Sequence, residues 1–66
     1  MNIIKIGDFL TIYSGILMIK EIGSGKLVWF GTTAMLEKDH PYRDLEIQRV
    51  NSINKDRVAV YVSNNI

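Results

Sequence analysis

The sequence predicts one small α+β domain: an antiparallel sheet of about four strands in two hairpins, with one or two short helices. Three observations carry that expectation. Two pairs of β-rich runs are each separated by turn-forming residues, a helical spacing of apolar side chains precedes them, and a threonine-led helical turn lies between the pairs. With 66 residues the chain stands near the lower limit at which one hydrophobic core sustains a fold, so residues 1–66 are read as a single domain.

The first element is read from Ile6, Phe9, Leu10 and Tyr13, which recur at i, i+3, i+4 and i+7, with Gly15 placed where a left-handed helix stop would fall. A strand competes for this segment, because Thr11 and Ile12 are β-branched and Ile3-Ile4-Lys5-Ile6 has strand character. The helix is preferred. Next, Ile16 to Ile22 and Lys26 to Gly31 form a hairpin about Gly23-Ser24-Gly25, whose glycines supply the positive φ of a tight connection. Thr32 or Thr33 then caps a helical turn through residues 34–38, which ends by His40 because Pro41 disfavours helix at the preceding residue. A second hairpin runs from Leu45 to Ile53 and from Val58 to Val62 around residues 54–57. Its last strand alternates cleanly, with Val58, Val60 and Val62 on one face and Ala59 and Tyr61 on the other. In its first strand the apolar phase slips from Leu45 and Ile47 to Val50 and Ile53, which calls for a bulge near Arg49 to Ser52. Beyond it only a polar tail, Ser63-Asn64-Asn65, is read as a departure from the folded unit.

Composition narrows the setting. There is no cysteine, so neither a disulfide framework nor the Cys-rich zinc patterns are available, and a reducing, cytoplasmic location is expected. Eight basic and seven acidic residues give a net charge of +1 with no block of like charge, which argues against long-range steering of a charged ligand. The longest apolar run, Ile16-Leu17-Met18-Ile19, falls far short of the about 20 residues of a membrane span. The first residues lack the basic leader and apolar stretch of an export signal, so no membrane association is expected.

Taken together, the succession of a short helix, Leu17-Met18-Ile19, a glycine turn, Leu27-Val28-Trp29-Phe30-Gly31, a short helix, Leu45-Glu46-Ile47 with Val50-Asn51-Ser52-Ile53, and Val58-Ala59-Val60-Tyr61-Val62 resembles a class of small orphan proteins. That class, largely uncharacterised, is encoded on phages, plasmids and integrative elements of low-GC bacteria. The resemblance covers nearly the whole chain and rests on apolar spacing and turn glycines. It implies a fold of this kind and a mobile-element setting, in which some proteins of this size inhibit host defences, anti-CRISPR proteins among them, and others bind nucleic acid. It carries over no functional residue.

Chemistry-bearing constellations are sparse. His40 is the only imidazole, and although Asp39 and Asp44 flank it with carboxylates that suit a divalent ion, its place before a proline reads as a solvated loop. Ser14, Ser24, Ser52 and Ser63 lack an elbow or partner motif, and the seven carboxylates are scattered. Gly23-Ser24-Gly25-Lys26 superficially matches a phosphate loop but lacks the glycine spacing and the following helix, and reads as a hairpin turn. No enzyme activity, cofactor or metal is therefore expected.

Binding is the stronger expectation. Trp29 and Phe30 are adjacent on a strand and point to opposite faces, as do Ile16 and Met18 against Leu17 and Ile19. Two very short helices cannot cover both faces, so the surplus is expected at a protein interface formed by Met18, Trp29, Phe30, Tyr42 and Tyr61. The leading reading is a non-catalytic protein-binding domain, a homodimer that also engages a host protein as a mobile-element inhibitor would. The alternative is a nucleic-acid-binding module in which Lys20, Lys26, Arg49, Lys55 and Arg57, with Arg43, share a sheet face with Trp29, Tyr42 and Tyr61. Glu21, Glu46 and Asp56 in the same hairpins weigh against it. A structural or assembly protein is the third reading.

Overall fold

The computed structural model describes residues 4–63; the first three residues and the polar tail from residue 64 onward lie outside the described residues. Its elements are α1 (Ile6–Phe9), β1 (Ile16–Glu21), β2 (Leu27–Thr32), two single turns of 3-10 helix (Thr33–Met35 and Pro41–Asp44), β3 (Ile47–Asn54) and β4 (Arg57–Val62). Both hairpins form as expected, each closed by its turn residues: Gly23 and Gly25 take φ of 91° and 73°. In the second turn the Asn54 side-chain oxygen accepts from the Asp56 backbone N–H.

The sheet itself corrects the sequence-based expectation. It is mixed, with strand order β2-β1-β4-β3, because β1 and β4 pair in parallel from Ile16 opposite Arg57 to Glu21 opposite Val62. The cause lies in the connection between the hairpins. Residues 33–46 run back along the sheet instead of turning tightly, so β3 starts at the same end as β2 and runs in the same direction. A long crossover of this kind is what a parallel pairing requires. The hairpins thus join through their first and last strands, which become the central pair.

The helices are also shorter than expected. α1 is one turn, extended by turn residues to Ile12, and the threonine-led segment winds only as 3-10 helix. The reason is spatial. Each has just enough chain to deliver one or two apolar side chains to the sheet before the path must turn. Ile6 from α1 and Leu36 after the first 3-10 turn are completely buried against Leu17, Ile19, Val58, Val60 and Val62. Phe9, Leu10, Tyr13, Tyr42 and Leu45 pack around them. Arg43 stitches the connections together by donating from Nε to the Leu36 carbonyl at 3.1 Å. Every covering side chain in this core comes from residues 4–15 or 33–46, and all of them lie on one face of the sheet.

The slipped phase of β3 is resolved by two irregularities, between Ile47 and Arg49 and between Ser52 and Asn54. They flank the expected bulge site, since Arg49 to Ser52 pair in regular register: the first sets Val50 opposite Val60, yet Val50 at this edge stays half exposed, and Ile53 falls in the second and is not returned to the core. Among the described residues no helix is long and apolar enough to cross a membrane.

Candidate functional site

Strand alternation decides which side chains reach the uncovered face. On β1, Leu17 and Ile19 enter the core, so Ile16, Met18 and Lys20 face away from it. Their cross-strand partners share that side: Thr32, Phe30 and Leu27 on β2, and Arg57, Ala59 and Tyr61 on β4. Beyond β4, Arg49 opposes Tyr61 and Asn51 opposes Ala59.

The centre of this face is apolar. Met18 lies between Phe30 and Ala59, with Ile16, Leu27 and Tyr61 around them. Phe30 is 55% exposed and Leu27 50% exposed, while Ala59, on a central strand and overtopped by Met18 and Asn51 on either side, is buried. No segment between residues 4 and 63 crosses the face, which is why a phenylalanine on it stays in water.

The charge on the face has one sign. The strands place Lys20, Arg49 and Arg57 on it and no carboxylate. The Arg49 guanidinium carbon lies 5.9 Å from the centre of the Tyr61 ring, a cation–π arrangement that holds both side chains over the sheet. Glu21 points to the covered side at the end of β1, where it accepts from the Ser24 hydroxyl. Asp56 lies in the β3–β4 turn, and Glu46, just before β3, opposes Lys5 across an isolated antiparallel bridge, so that margin adds one charge of each sign.

The sequence-derived interface residues are therefore divided. Met18, Phe30 and Tyr61 come together on the open face. Trp29 does not: it opposes Ile19, packs against the core, and sits with Gly31, where an added Cβ would stand 3.0 Å from the indole. Tyr42 is likewise on the covered side, against the core. Of the cations, Lys20, Arg49 and Arg57 share the face. Lys26 lies with Glu21 and Tyr42 at a shallow recess on the other side, Lys55 is at the tip of the second turn, and Arg43 is engaged with Leu36. The sequence-derived interface left out Ile16, Leu27 and Ala59: Ile16 shares the phase of Met18 and could have been added on that ground, whereas Leu27 is in phase with Trp29 and reaches the open face only through the register shift between Trp29 and Leu27, which a strict period of two does not contain.

Elsewhere the chemistry is thin. The His40 imidazole acts locally, since its Nδ1 accepts from the Tyr42 N–H at 3.1 Å and caps the second 3-10 turn, with the Tyr42 ring 5.0 Å away. Among the described residues no three acidic or imidazole side chains gather as a metal site. A shallow cleft of about 230 Å³ lies between Ile4, Phe9, Ile47 and Val50 beside the β3 edge, open to solvent. Compared with protein-family models, with curated proteins and with solved structures, the chain finds no match.

Proposed function

We propose that this chain is a non-catalytic protein-binding domain that docks through the open face of its sheet. The observation that carries the reading is the apolar centre of that face, with Phe30 and Leu27 half exposed on a sheet whose connections all go to the other side. An apolar centre ringed by arginine and lysine is the anatomy of a protein interface, in which the centre is dehydrated and the rim stays polar. The resemblance to mobile-element proteins supports a host factor as the partner, bound so as to block it, inside the cytoplasm.

Nucleic acid is the second reading, and one observation favours it: three cations without a strand carboxylate on a face that carries two aromatic rings. Two others weigh against it. Ile16, Met18 and Leu27 offer no plane for a base to stack on, and Arg49 lies over the Tyr61 ring where a base would have to go. Self-association is proposed to use the β3 edge, whose strand is unpaired on its outer side beyond Ile47 and is flanked by exposed Val50 and Ile53.

Site-directed photocrosslinking tests the leading reading. A photoreactive phenylalanine analogue at Phe30 is expected to give a discrete protein adduct in cells, insensitive to nuclease. The same analogue at Ile12, exposed but off the sheet, is expected to give none. Equal adducts from both positions, or adducts that vanish with nuclease, contradict it.

A further inference from the structure

We infer that the partner of the open face is an acidic protein surface, and not a second copy of this chain; the inference rests on the protein-binding reading and specifies the chemistry of that same site. Its basis is charge complementarity. Lys20 stands between Leu27 and Tyr61, Arg49 over Tyr61, and Arg57 beside Ile16, so cations reach the face from β1, β3 and β4 while the strands supply no carboxylate. Docking an apolar centre removes water from these cations at the rim as well. A partner that offers carboxylates there compensates the loss, and a neutral or basic one does not.

A second copy is disfavoured by symmetry and by size. A two-fold dimer sets the same patch against itself, so Lys20, Arg49 and Arg57 would meet a surface that carries the same three cations and no strand carboxylate to compensate them. Four strands about 4.8 Å apart and six residues of about 3.3 Å give the face an outline of about 400 Å². Even with side-chain relief that is at the small end of specific interfaces, which bury about 800 Å² per partner in standard cases, so apolar area has little surplus with which to override like-charge repulsion. Nucleic acid would satisfy the cations but leave the aliphatic centre without a matching surface.

The test titrates isotope-labelled protein with three fluorescent probes: a peptide alternating glutamate with leucine and phenylalanine, a matched peptide with lysine for glutamate, and oligothymidylate. Binding is read by anisotropy and located by amide shifts. The acidic peptide is expected to shift Met18, Phe30 and Tyr61 and to bind at least about tenfold more tightly than the basic one. Its affinity is expected to weaken with added salt and to fall at least about tenfold in the Arg49→Glu, Arg57→Glu double variant, whose fold is checked by its amide spectrum. Equal binding of both peptides at the face overturns the acidic partner while leaving a protein-binding face. Tighter binding of oligothymidylate at the same amides overturns both, as does failure of both peptides to bind there. Concentration-dependent shifts of these amides in the free protein establish a second copy as the occupant and overturn the inference.

Discussion

Gly15 adopts φ +149°, and a Cβ there would stand 2.8 Å from the Tyr13 hydroxyl and 2.9 Å from the Asp56 carbonyl oxygen. The crowding has a purpose. Tyr13 donates to the carbonyl of Ile16 at 2.6 Å and is also within 2.9 Å of that of Asp56, which ties the start of β1 to the β3–β4 turn. Asp56 in turn accepts from the Ile16 N–H. Gly15→Ala is expected to destabilise by about 1 kcal/mol or more, since both the φ value and the space are wrong for a side chain. Tyr13→Phe is expected to cost about 0.5–1.5 kcal/mol, and urea denaturation measures both. The sequence reading made Gly15 the stop of the first helix, but α1 ends at Phe9 with Leu10 as its cap, and the glycine is required instead by the Asp56 carbonyl, which arrives from the far end of the chain. His40 was similarly readable only as a polar loop residue. Its ring nitrogen caps a turn that propensity does not reveal, so His40→Ala is expected to lose about 1 kcal/mol, read in the same denaturation series.

At the scale of elements, local signals were legible and long-range ones were not. Both hairpins follow from turn chemistry and alternation within a few residues, and their boundaries move by one or two positions only. The parallel joint between β1 and β4 depends on where residues 33–46 lead the chain, which no local window contains. One trace of it was present: Ile16-Leu17-Met18-Ile19 is apolar on both faces, as central strands with parallel neighbours tend to be. The central pair also carries most of the core. Leu17→Ala is expected to cost about 2–5 kcal/mol, whereas Leu27→Ala, half exposed at the edge, is expected to cost well under that. Amide hydrogen exchange is expected to be slowest in β1 and β4 and faster in β2 and β3, each of which has an edge free of a neighbouring strand over most of its length. Slowest exchange in β3 would contradict the strand order.

Over the whole molecule, one asymmetry organises the rest. All connections between residues 4 and 63 that cover the sheet gather on one face, and the opposite face keeps an apolar centre with cations of a single sign. In the sequence this was hidden by averaging. A net charge of +1 says nothing of where the charges lie, and Glu21, close in sequence to the cations, points to the other side. The methionines offer the most direct test of whether this face is a docking surface, because Met18 lies at its centre and Met35 is exposed in the first 3-10 turn, on the covered side beside Gly31. With methyl-labelled methionine, protein spectra are recorded in buffer and in nuclease-treated lysate of the producing cells. The Met18 methyl signal is expected to shift or broaden while that of Met35 stays as it was; an unchanged Met18, or equal changes at both methyls, would contradict a protein-binding face.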